Sequence, residues 1–182
     1  MQEKRVDRAT FATSQWRREK PELDFLAMEL IGRIGEASKV IRTGHIEPLF
    51  AHYGLQTGAF DVLATLRRAG RNEQGLYALT PSQMYDATMV SSGGMTNRLD
   101  RLEKAKLIAR HPNPDDRRGT IVALTDKGLT LIEEVVDAHL ANEQRIVSPL
   151  SRNEQEQLSS LIAKLLSGVE AMDPPEKGSP KP

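Results

Sequence analysis

The stretch "TPSQMYDATMVSSGGMTNRLDRLEKAKLIARHPNPDDRRGTIVALT", residues 80–125, decides the fold. Thr80, Pro81 and Gln83 form a capping box with proline at the first helical position, so a short helix begins there and ends near Met89. Ser91 can cap a second helix a few residues later, with Met95, Leu99 and Leu102 as its buried stripe. Leu107 to His111 and Thr120 to Leu124 read as strands on either side of a turn, which predicts a β-hairpin. Short helix, tight turn, second helix and hairpin is the layout of a winged helix-turn-helix.

At about 100° per residue, Gly93, Asn97, Arg101 and Lys104 fall opposite the apolar stripe. Asn and Arg reach base edges bidentately, while Ser92, Gly93 and Gly94 leave first-turn amides open for close approach to a phosphate. The expected DNA-binding residues are Ser91, Ser92, Gly93, Thr96, Asn97, Arg101 and Lys104, with Asp116, Arg117 and Arg118 at the hairpin tip. Catalytic carboxylates want a recessed, partly dry setting, and a tip rich in Pro, Asn, Asp and Gly is the opposite. Arg118 is instead read as a minor-groove probe, Asp116 as its brace and Arg117 as a phosphate contact. The bland alternative is a solvated turn whose ion pairs contribute little. Charge distribution favours the first reading: Ser91 to Arg118 holds seven basic and four acidic residues, whereas Thr125 to Glu170 holds four basic and eight acidic.

Outward from this segment the pattern is helical. From Asp24, the residues Leu26, Leu30, Ile34, Ala37 and Ile41 predict a long helix that Pro48 stops, and a second helix runs from Thr57 as N-cap to Gly70. Thr125 caps a helix carrying Leu129, Ile132, Val135, Val136, Leu140 and Ile146. Pro149 interrupts it, and a second capping box at Ser151 and Glu154 precedes Leu158, Leu161, Ile162, Leu165 and Val169. A single winged-helix unit cannot cover these stripes, which predicts a helical dimerisation lobe built from both chain ends; the alternative is a monomeric helical bundle. The expected fold is mainly α with a small β-hairpin wing (α+β). It is one domain over 1–182, with an extra N-terminal helix or arm in 1–22, dimerisation helices in 23–56 and 125–170, the winged helix-turn-helix in 57–124 and a flexible tail in 171–182.

Lys plus Arg and Asp plus Glu both total 25 in 182 residues, so bulk charge points to no polyanionic partner. The absence of cysteine excludes a disulfide framework and thiolate metal sites. No stretch approaches the ~20 apolar residues of a membrane span, and the N-terminus lacks an apolar signal core, so a cytoplasmic location is expected. His45, His52, His111 and His139 have no ligand spacing, Gly93 and Gly94 lack a nucleotide-fold context, and neither metal nor cofactor is expected. No nucleophile and base constellation is present, so the chain is not read as an enzyme. A helical interaction module that never touches DNA is a further alternative.

"MTNRLDRLEKAKLI" followed by "DDRRGTIVALTDKG" resembles the recognition helix, wing and following helix start of the MarR family, bacterial winged-helix regulators that bind pseudo-palindromic DNA as dimers. The resemblance covers roughly residues 24–168, and its most diagnostic element is Asp116, Arg118, Leu124 and Thr125. "QWRREKPELD" and "GAFDVLATLRRAG" further resemble the urate-responsive branch, the PecS/UrtR-like regulators, which carry an additional N-terminal helix. That likeness implies an effector site of Trp16, Asp61, Arg98 and Arg110, taking a small aromatic anion such as urate. A different aromatic carboxylate suits the same residue types. From the residues alone, Trp16 could merely pack the extra helix, Asp61 could favour its helix N-terminus, and the arginines could contact phosphates. Together these readings imply a homodimeric regulator of transcription, a repressor, with double-stranded DNA and a small aromatic anion as partners and no membrane association.

Overall fold

The computed structural model describes residues 6–56, 58–87, 94–113, 116 and 119–172. In chain order the elements are α1 (Arg8–Glu19), α2 (Leu26–Ile41), a π-helical turn (Arg42–Ile46), α3 (Glu47–His52) and α4 (Ala59–Arg68). Then come β1 (Ala78–Leu79), α5 (Pro81–Ala87), α6 (Met95–Lys104), β2 (Ile108–Pro112), β3 (Thr120–Leu124), α7 (Asp126–Val147) and α8 (Arg152–Glu170). The fold is mainly helical with one small antiparallel sheet in the order β1-β3-β2. It divides into two units, Met1–Asn142 and Glu143–Pro182.

In the first unit, Val62, Leu63 and Leu66 of α4, Met84 of α5, and Met95, Leu99 and Leu102 of α6 share one core with Ile108, Val122, Ile132 and Val135. Full burial of such side chains stabilises by roughly 1.5–3 kcal/mol each, so the apolar stripe of α6 fixes which face it turns outward. The hairpin register pairs Ile108 with Leu124, Arg110 with Val122 and Pro112 with Thr120. The third strand was not anticipated: Ala78 and Leu79 pair with Ala123 and Val122.

The caps explain most element boundaries, with three corrections. The Thr80–Gln83 box is reciprocal, at 2.9 and 3.2 Å, and Gly70 has φ +82°, as a helix-terminating glycine should. Pro48, however, does not stop the helix. It occupies the first turn of α3, where its missing N–H costs nothing, and the preceding π-helical turn takes up the irregularity. The N-cap of α4 is Gly58 rather than Thr57, and that of α6 is Gly94 rather than Ser91. Both glycines have positive φ, of +82° and +84°, which L side chains rarely adopt. Thr57, Ser91, Ser92 and Gly93 lie outside the described residues, as do Arg117 and Arg118.

Thr125 caps α7 as expected, its Oγ1 accepting the Gly128 N–H at 3.0 Å. The same hydroxyl donates to the Lys106 carbonyl at 2.7 Å, the Thr125 N–H donates to Leu107 O at 3.1 Å, and Lys127 Nζ donates to Ala105 O at 3.0 Å. Residues 105–107 are thereby clasped to the first turn of α7. The approach is so close that a Cβ on Gly128 would stand 1.9 Å from Leu107 O.

The extra N-terminal helix is real and is held by polar contacts. Glu29 of α2, only 8 % exposed, accepts from Thr10 Oγ1 at 3.2 Å, Thr13 Oγ1 at 3.1 Å and Arg17 Nη2 at 2.9 Å, all on α1. Arg33 Nη2 adds a fourth partner at 2.6 Å from its own helix. The bond from Arg17 is the largest influence holding the Glu29 carboxyl below the usual range, and it outweighs desolvation. At the π-helical turn, Asn142 Nδ2 of α7 donates to the His45 carbonyl at 3.0 Å.

In the second unit, Ser151 and Glu154 make the predicted capping box of α8, with the Ser151 N–H 2.8 Å from Glu154 Oε2. No residue of α8 is buried, and Leu158, Leu161, Ile162, Leu166 and Val169 are exposed along it.

Candidate nucleic-acid interface and effector residues

The burial of Met95, Leu99 and Leu102 leaves Thr96, Asn97, Arg101 and Lys104 exposed on α6. The wing leaves the sheet after Pro112 and returns at Thr120. Its described tip is closed by the Gly119 N–H on Asp116 O at 2.8 Å and the Asn113 N–H on Gly119 O at 3.0 Å. Beside α6 lies a cleft of about 520 Å³, whose lining includes Gln56, Ala59, Gly94, Asn97, Arg98 and Arg101. In it Arg101 Nη1 donates to Gln56 Oε1 at 2.6 Å. Sequence reasoning did not single out Gln56, because the two residues are 45 positions apart.

Asp61 and Arg98 come within electrostatic range of each other. The Arg98 side chain lies over Gly58, so that a Cβ there would meet its Nε at 2.7 Å. Asp61 is half-buried, and desolvation raises its pKa above the usual carboxylate value despite the opposing charges of Arg68, Arg98 and His139. Arg68 follows Asp61 by seven residues and so shares its helix face two turns on, a neighbour that a search of three- and four-residue spacings passes over. His139 itself packs against Phe50 and Phe60, with ring centroids 5.2 and 4.7 Å away.

Arg110 is placed differently. It binds Asp100 at 2.6 Å and also Glu103, and the bond to Asp100 is the chief reason its pKa is pushed up. Asp100 and Glu103 are separated from Arg98 by about 200° and 140° around α6, so Arg110 sits on the opposite flank of that helix from Arg98. Trp16, 45 % exposed, belongs to α1, whose polar contacts are with α2. Of the four implied effector residues, then, the structure brings Asp61 and Arg98 together, gives Arg110 a carboxylate pair of its own, and leaves Trp16 half-exposed on the N-terminal helix.

Among the described residues no His, Asp and Glu cluster of three or more is disposed to hold a metal ion, and no helix is long and apolar enough to cross a membrane. A capped short helix, a helix with a buried apolar stripe and an exposed Asn/Arg face, and a hairpin after it define the winged helix-turn-helix class of DNA-binding proteins.

Comparison with known proteins narrows the class. The MarR family pattern matches residues 53–119. The chain is 41% identical over 151 residues to the HTH-type transcriptional regulator PecS of Dickeya dadantii, covering 83% of this chain and 88% of that one. A MarR variant from E. coli solved in complex with operator DNA superposes with a TM-score of 0.65 at 25% identity, covering 78% of this chain and 97% of the other. Sco3205 of Streptomyces coelicolor, a MarR family regulator also solved with DNA, shares the fold with a TM-score of 0.68 at 20% identity, covering 85% and 97%. The chain belongs to the MarR family of DNA-binding transcriptional regulators, and it is PecS-like.

Proposed function

We infer that the chain is a homodimeric repressor that binds a pseudo-palindromic operator and is released by a small aromatic anion such as urate, with an aromatic carboxylate as the alternative effector. The observation that carries this reading is α6, whose three buried apolar residues leave Asn97, Arg101 and Lys104 exposed together, side chains of the types that reach base edges and phosphates. Each subunit would set residues 92–104 in a major groove and Arg118 in the adjacent minor groove, with Asp116 as its brace and Arg117 on a phosphate. Half-sites would then lie about one helical turn, ~34 Å, apart. The effector would bind at Asp61 and Arg98, the two of the four implied residues that lie within electrostatic range of each other. A half-buried carboxylate beside Arg98 supports a ligand site close to the reading helix. A coupling of about 1–3 kcal/mol between effector and operator would be enough for substantial derepression.

The test is selection of binding sites from random duplex DNA with the purified chain, at two salt concentrations and with and without urate. Enrichment of an inverted repeat with half-site centres one turn apart, weakened by urate, is expected. No enrichment even at low salt removes the DNA-binding reading; enrichment indifferent to urate and to aromatic carboxylates removes the effector. The Asp61 to Arg98 neighbourhood is tested separately by Arg98→Ala, which should blunt the urate response while operator affinity is retained.

A further inference from the structure

The loop before α4 is anchored on both sides of Gln56. Leu55 is buried in the core, and its N–H donates to Phe50 O at 2.9 Å. Gln56 O accepts the Ala59 N–H at 2.9 Å, and Gly58 lies under the Arg98 side chain. The backbone that carries Gln56 is therefore fixed against the flank of α6, and its side chain enters the cleft that holds Asn97 and Arg101. There it meets Arg101 Nη1 at 2.6 Å. A guanidinium has donors only, so the amide must present its oxygen, and this settles which way the Gln56 side chain is turned.

We propose that Gln56 is a positioning residue for sequence readout, holding the Arg101 guanidinium so that its remaining donors meet a base edge. The inference rests on the DNA-binding reading above. Nη1 is engaged by Gln56, which leaves the Nε and Nη2 edge with two parallel donors. That edge matches the O6 and N7 acceptors of guanine in the major groove. A long, free arginine side chain loses rotamer entropy when it docks, and a neutral partner that orders it beforehand lowers this cost. A carboxylate in the same place would cancel the charge that draws the arginine to DNA; an amide does not. Asn97, lining the same cleft, has no such brace from this loop among the contacts described, so the effect is confined to the base pair that Arg101 reads.

The experiment uses the full chain and the site it enriches from random duplex DNA. Affinities for that site and for all its single base-pair variants are measured for the wild type, Gln56→Ala, Arg101→Ala, the double variant and Gln56→Glu, at two salt concentrations. Gln56→Ala should weaken binding about three- to ten-fold. It should relax preference at the same G·C pair that Arg101→Ala relaxes, and it should add nothing in the Arg101→Ala background. Its salt dependence should match the wild type, since no cation is lost. Gln56→Glu keeps the acceptor oxygen, so it should keep the guanine preference while binding all sites more weakly. Gln56 is exposed, and an unchanged melting temperature verifies the fold. Additive losses, a uniform loss at every position, or tighter binding by Gln56→Ala would each overturn the proposal; tighter binding would mean that the bond restrains Arg101 instead of aiming it. Failure to enrich any site overturns both readings together, whereas enrichment followed by additivity overturns this one alone.

Discussion

Asp61 shows how one side chain can be a burden to the fold and still be kept. Desolvation raises its pKa from the ordinary 3.8, and the charges of Arg68, Arg98 and His139 recover only part of the loss. A raised folded pKa means that the folded chain binds this proton more tightly than the unfolded chain does. The group therefore favours folding below its unfolded pKa, and that advantage disappears as pH rises through the folded value. Asp61→Asn should accordingly raise the melting temperature at neutral pH, with the gain shrinking toward zero as the pH falls below about 4. A gain that persists in acid would point to packing rather than charge. At this scale, only residue types on named faces were legible in the sequence. Asn97 and Arg101 follow from the period of their own helix, but Gln56 and His139 reach their neighbours across the fold. The seven-residue step from Asp61 to Arg68 was legible and easily overlooked.

Among the elements, those with a local signal were readable: the capping boxes at Thr80 and Ser151, the Thr125 cap and the stripe of α6. The strand β1 was not, because two residues have no periodicity and pair only through β3. The start of α7 has a role that the sequence signal of its cap does not reveal. Thr125, Lys127 and Gly128 lock the turn after α6 to α7, so a shift of α6 would have to carry the clasp with it. Gly128→Ala would drive a methyl group into Leu107 O, a backbone atom with no rotamer to yield. Loss of more than about 4 kcal/mol is expected, in the class of severe overpacking, and urea denaturation measures it. If Gly128→Ala is tolerated within about 0.5 kcal/mol, the clasp is looser than its geometry implies.

For the whole molecule, apolar side chains outside the core matter most. Phe11 of α1, Leu30 and Ile31 of α2, and Leu161, Leu166 and Val169 of α8 are all exposed, in excess of what a soluble monomer ordinarily leaves open to water. Leu30, Leu161 and Val169 belong to stripes legible as broader than one winged-helix unit needs, whereas Phe11, Ile31 and Leu166 lie outside the stripes named from sequence; what covers them was not legible, since a partner leaves no mark on periodicity. With a second copy as that cover, the melting temperature should rise with protein concentration. Leu161→Asp, at a site 64 % exposed in the single chain, should abolish that dependence and give a monomer by analytical ultracentrifugation. A monomeric wild type at micromolar concentration would remove the dimer and with it the paired half-sites.

The π-helical turn of Arg42–Ile46 bears on how this architecture tolerates change in length. A π turn spans one residue more than the α turn it replaces, so deleting any one of its five positions would let the helix close up as regular α. Because the wider turn holds its extra residue within nearly the same angle, the segment on its N-terminal side would keep its direction relative to α3, and Glu29 would stay facing the helix it recruits. A single-codon deletion here is therefore a milder edit than the same deletion inside α2, where loss of one residue would swing everything before it by about 100°, and homologous chains should tolerate a change of one in the count between Ile41 and Glu47.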